Sequence, residues 1–107
     1  MFNLALGRED RSLIVLLTGE LDMETAPDLR DCLGQLVGQD DPRIVVDLAQ
    51  LTFCDSNGIA ALIAGYEACR AAGGQFHIRG ETGAVARVLE ISGVRTVLSS
   101  NGTSPAR

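Results

Sequence analysis

The spacing of apolar and polar residues changes several times along the chain, and each change marks an element. Phe2 to Leu6 predicts a short first strand, and the polar stretch Gly7 to Arg11 a turn. Leu13 to Leu17 is an unbroken, partly β-branched apolar run, the pattern of a strand covered on both faces. It leads into "GELDMETAPDL", where Thr25 or Ala26 opens a helix. Pro27 fits the first turn of that helix because its missing N–H costs nothing there, and Asp28 suits the positive end of the dipole. Leu29, Cys32, Leu33, Leu36 and Val37 then fall on one stripe at helical spacing, and Gly38 stops the run.

After the turn "QDDP", Arg43 to Leu48 reads as a second covered strand, with Ala49 to Asp55 as the loop that follows. Ser56 to about Ala72 predicts a helix with Ile59, Leu62, Ile63 and Tyr66 on one face, ended by Gly73–Gly74. "QFHIRG" is a strand, and Thr82 to Ile91 a third helix carrying Val85, Val88 and Leu89. Val94 to Leu98 makes a last short strand, before a polar tail expected to be disordered. The order β-β-α-β-α-β-α-β implies an α/β fold, a mixed, mainly parallel central sheet with helices packed on it. Without an internal repeat or linker, residues 1–98 form one domain and 99–107 the tail.

Composition narrows the function. The net charge is −5 and every basic residue is Arg. An acidic chain lacks the side chains that neutralise nucleic-acid phosphates, so no nucleic-acid partner is expected. The absence of Lys removes Schiff-base chemistry and the phosphate-loop lysine. Aromatic residues are only 4% of the chain, too few for stacking platforms. Cys32, Cys54 and Cys69 lack metal-ligand spacing and have only His77 to join them, so they read as small core residues in a reducing cytoplasm, with no metal or cofactor. No basic region with a following apolar stretch marks a signal peptide, and no apolar run approaches the ~20 residues of a membrane helix. A soluble, cytoplasmic protein without membrane insertion is the expectation.

Chemistry concentrates in "LTFCDSNGIA", residues 51–60, where Asp55, Ser56, Asn57 and Gly58 interrupt an apolar sequence. Beyond the carboxyl end of a strand in an open α/β sheet, such a loop and helix start is where ligands and partners gather. Free N–H groups at the helix start would tolerate a phosphate on Ser56, and Gly58 would let a partner backbone or a nucleotide phosphate come close. On periodicity alone, a plain helix cap is the favoured reading of "DS". A serine nucleophile is not supported: His77 sits in a strand with Phe76 and Ile78 facing the other way, and Gly-x-Ser-x-Gly is absent. Asp22 and Asp47 would approach Asp55 if their strands are neighbours, yet carboxylates at strand ends are usually solvated or cap a helix.

Taken together, "LTGELDMETAPDL", "RIVVDLAQLTFCDSNGIAAL" and "LEISGV" resemble the STAS family, named for sulfate transporters and anti-sigma factor antagonists. The resemblance, not the periodicity, reverses the preference for a plain cap. It implies a stand-alone, non-enzymatic antagonist that binds an anti-sigma factor serine kinase and frees a sigma factor. It further implies that the kinase phosphorylates Ser56 to end binding, and that a PP2C-type phosphatase resets the switch. By the same resemblance Asp22, Asp55, Asn57 and Gly58 shape the partner surface; Asn57 stands where many members have Ser or Thr. Two other readings stay open: a STAS adaptor subunit of a membrane lipid-transport ATPase complex working without phosphorylation, and a nucleotide-binding regulatory domain.

Overall fold

The computed structural model describes residues 1–93, so the strand expected at Val94 to Leu98, the tail and the boundary at residue 98 lie outside the described residues. Along the chain run β1 (Phe2–Glu9), β2 (Ser12–Leu21), α1 (Ala26–Val37), β3 (Arg43–Cys54), α2 (Ser56–Ala71), β4 (Gln75–Arg79) and α3 (Gly83–Ser92). The strands form one sheet in the order β1-β2-β3-β4. The β1–β2 pair is antiparallel, and β2–β3 and β3–β4 are parallel. This is the mixed, mainly parallel α/β sheet that the pattern implied. The β1–β2 hairpin turns on two residues, with Asp10 in the left-handed region at φ 54°. The polar stretch from Gly7 is thus mostly strand.

Pairing sorts the side chains into rows. Val15, Val46 and Ile78 align across the sheet on the face that joins the buried core, as do Ile44 and Phe76. The opposite face carries Ala5, Leu16, Asp47 and Arg79 in one row, and Gly7, Ile14, Val45 and His77 in the next. Across this second face the Arg79 guanidinium donates to both Glu9 carboxylate oxygens at 3.0 Å and to Asp47 Oδ2 at 3.1 Å.

Helices bury their apolar stripes on the core face. Leu29, Leu33 and Leu36 of α1 are buried as expected, and Val85 and Leu89 of α3 complete the cluster. Helix α2 differs. Its buried face is Gly58, Ala61, Leu62, Gly65 and Cys69, while Ile59, Ile63 and Tyr66 are only half-buried. The reason is close packing: a Cβ on Gly65 would lie 2.5 Å from Leu33 Cδ1 and 3.2 Å from Phe76 Cε2. Small residues let α2 settle between α1 and the sheet, and the larger apolar side chains take the flank.

The other correction concerns Ala49 to Asp55, expected as a loop. Strand β3 continues to Cys54 and stays paired with β2 up to Leu21–Cys54. The step from Leu16–Asp47 to Thr18–Gln50 spends one extra residue of β3, and the step from Gly19–Leu51 to Glu20–Phe53 another. Two bulges therefore change the buried spacing from every second residue (Ile44, Val46, Leu48) to every third (Leu48, Leu51, Cys54). Loss of alternation made a strand resemble a loop.

Candidate functional site

Because Leu21 and Cys54 are the last paired residues of neighbouring parallel strands, Asp22 and Asp55 leave the sheet side by side. A hydrogen bond of 3.1 Å from the Asp55 N–H to the Leu21 carbonyl ties the two exits together. Both acids then do structural work. Asp22 Oδ1 accepts from the backbone N–H of Glu24 at 3.0 Å and of Thr25 at 3.2 Å, folding the turn that starts α1. The Thr25 hydroxyl lies 2.9 Å from the Glu20 carbonyl, to which it donates, and accepts from the Asp22 N–H at 2.9 Å. Thr25 thus locks the turn onto the end of β2 and does not cap α1 with its side chain.

Asp55 is the N-cap of α2. Its Oδ1 accepts from the N–H groups of Asn57 at 2.9 Å and Gly58 at 3.1 Å, and its carbonyl accepts from Ile59 N–H at 3.0 Å. Ser56 is therefore the first helical residue, one beyond the cap. Its side chain is exposed and its hydroxyl makes no hydrogen bond among the described residues. Asn57 is also exposed. A helix start is normally an anion site because its N–H groups lack partners. Here an ionised side chain of the chain itself already holds two of them. The cap discourages a free nucleotide phosphate at this helix start.

Gly58 corrects an expectation. It is buried, and the space its missing Cβ leaves is filled from inside: a Cβ there would stand 2.8 Å from Cys54 Sγ and 2.8 Å from Leu21 Cγ. Gly58 therefore lets α2 approach the ends of β2 and β3, and leaves no opening for a partner backbone. Cys54 below it is 3% exposed. Burial, helped by the neighbouring Asp55 charge, pushes its thiol up to about 11. It is packing material, inert as a nucleophile.

Asp47 does not join the pair. It lies eight residues upstream of Asp55, on the order of 20 Å along the strand, and engages Arg79. His77 is farther still, opposite Val45, with Phe76 and Ile78 buried on the other face as the alternation implied. No imidazole stands within reach of Ser56. Sequence reasoning missed Phe53 and Met23, large apolar side chains that are exposed beside Asp55 and Asp22. Phe53 was hidden in a supposed loop, although its place two residues before the cap was a usable signal.

The chain is similar to known proteins over most of its length. The family model described as "Mlab, STAS domain" matches residues 4–99. The chain is 25% identical over 99 residues to the anti-sigma-B factor antagonist of Staphylococcus aureus, covering 92% of each. It is 30% identical over 87 residues to the anti-sigma F factor antagonist of Paenibacillus polymyxa, covering 80% of this chain and 74% of that one. The crystal structure of an anti-sigma factor antagonist from Mycobacterium paratuberculosis superposes with a TM-score of 0.81 at 29% identity, over 92% of this chain and 83% of the other. Because the family model matches residues 4–99, nearly the whole chain, the protein belongs to the STAS domain family.

Proposed function

We propose that the protein is an anti-sigma factor antagonist and not an enzyme: unmodified, it binds an anti-sigma factor serine kinase in the cytoplasm and so frees a sigma factor. Phosphorylation of Ser56 by that kinase ends the binding, and a PP2C-type phosphatase restores it. One observation carries the reading. The Ser56 hydroxyl stands exposed on the helix start, immediately beside the cap, with no hydrogen bond among the described residues. Relatives with antagonist names, matched over most of their lengths, support it.

The physics of the switch follows from the cap. A phosphate adds about −1.5 to −2 charge. Two of the N–H groups that would offset it, those of Asn57 and Gly58, already donate to Asp55, so much of the dianion's charge is left to the partner interface. There it must be desolvated next to Asp55 and Asp22. A cost of about 2–3 kcal/mol weakens binding roughly 30- to 150-fold. Asp22, Asp55 and Asn57 shape the surface directly, and Gly58 acts from beneath by seating α2.

Incubation with the cognate kinase and ATP, then peptide mass mapping, tests the site. Phosphate on Ser56, absent from Ser56→Ala, is expected; equal labelling of Ser56→Ala overturns the assignment. The adaptor reading uses the same surface without phosphate, and the family model's description as an Mlab domain is the observation in its favour. Retention of a membrane ATPase subunit, with Ser56→Asp binding as well as wild type, would establish that reading instead.

A further inference from the structure

The sheet end that presents Ser56 also carries two large apolar side chains that no element covers among the described residues. Met23, one residue past Asp22, is 70% exposed, and Phe53, paired with Glu20 at the end of β3, is 46% exposed. Both leave the backbone within two residues of the last pair, Leu21–Cys54. Each stands on rigid structure. Phe53 belongs to the paired strand, where the Thr52 hydroxyl donates to the Gly19 carbonyl at 3.0 Å, and Met23 lies inside the turn that Asp22 and Thr25 fasten. The charged residues next to them in sequence have one sign. Exposed Glu20 and Glu24 flank the half-buried Asp22 and Asp55, and no basic residue occurs between Arg11 and Arg30 or between Arg43 and Arg70.

We infer that Met23 and Phe53 are the apolar anchors of the docking surface, and that its partner presents an apolar socket rimmed by Arg or Lys side chains. The inference rests on the antagonist reading and names the chemistry of its partner. Exposed apolar side chains on prepaid, rigid backbone lose little freedom when they enter a socket, which is what concentrates binding energy in a few residues. Met and aromatic residues are the types enriched at interface centres. The acids at the rim steer a basic partner and fix its orientation.

The test uses the purified anti-sigma factor kinase that the Ser56→Ala chain retains, titrated calorimetrically with full-length variants. Met23→Ser and Phe53→Ser are each expected to weaken binding about tenfold or more, and Met23→Leu to stay within about twofold of wild type. Glu20→Arg with Glu24→Arg is expected to slow association and flatten its dependence on salt. All four residues are exposed, and unchanged melting by circular dichroism confirms that the fold survives. Anchor variants within about twofold of wild type overturn the inference, even where Ser56→Asp still abolishes binding. Conversely, anchors that matter while Ser56→Asp binds normally leave the docking surface standing and remove the phosphate switch. A wild-type chain that binds no such kinase removes both.

Discussion

Asp55 does at once what a helix cap and a charged neighbour do, and the two effects separate by substitution. As a cap it holds two backbone donors of α2, so Asp55→Ala should lose roughly 1 kcal/mol of stability in urea denaturation, while Asp55→Asn keeps most of it. As a charge it sits against Cys54, whose thiol burial raises from 9.0 to about 11. The raised value has a definite sign. Folding holds the Cys54 proton more tightly than the unfolded chain does, so the associated stability is complete below pH 9 and is lost as pH climbs from 9 to 11. The full loss is on the order of 2–3 kcal/mol. Cys54→Ala should therefore flatten the alkaline limb of a denaturation series, although it loses packing at every pH. In the folded protein at pH 8, Cys54 should resist a thiol reagent that labels the urea-unfolded chain fully.

At the scale of elements, the buried side of α2 is set by what the helix must approach. Gly58 and Gly65 sit where a Cβ would collide with Cys54, Leu21 and Leu33, whereas Gly34 of α1 has no atom within 4 Å of that position. The two kinds of glycine should respond oppositely to alanine. Gly58→Ala should destabilise by about 1–3 kcal/mol, because α2 must shift from the ends of β2 and β3, despite the better helix propensity of Ala. Gly34→Ala should stabilise by about 0.5–1 kcal/mol, since nothing opposes the gain in propensity. Chemical denaturation followed by circular dichroism reads both; a neutral Gly58→Ala would refute the packing role. The same packing marks the boundary of what the sequence makes legible. Helix α1, with its large residues on one stripe, can be read directly, as can the strand cores at Val15, Val46 and Ile78. The burial of α2 cannot, because small residues carry no hydrophobic signal and acquire their meaning only from neighbours distant in sequence. The end of β3 is masked differently: two bulges convert a period of two into a period of three, and pairing with β2, not local pattern, keeps the strand extended. Asp22, Asp55 and Ser56 are visible as a motif, but the division of labour among them is a matter of hydrogen bonds.

At the scale of the whole molecule, Arg79 gathers three strands of the sheet. It stands on β4 and holds Asp47 on β3 and Glu9 on β1, the edge strand at the far side. These groups lie on the face away from the core and away from the Ser56 end, so the clasp concerns stability and not docking. Glu9 and Arg79 are well exposed, with side-chain exposures of 59% and 42%, and water and salt screen their attraction. The two-toothed grip on Glu9 still lowers that carboxyl below its ordinary 4.5, first through the hydrogen bonds and then through the guanidinium charge. A lowered acid favours the folded state above its unfolded value and loses that advantage as pH falls through its folded value. Arg79→Met should thus melt slightly below wild type at pH 7, by a few degrees or less. The gap should close as pH is taken below 4.5, where Glu9 takes up a proton in wild type, and it should narrow in 1 M salt at pH 7. A gap that persists undiminished at low pH and in high salt would mean that the Arg79 side chain holds the sheet by packing its methylenes over Leu16 and its neighbours. In that case the charges would be incidental to the union of β1 with the parallel strands.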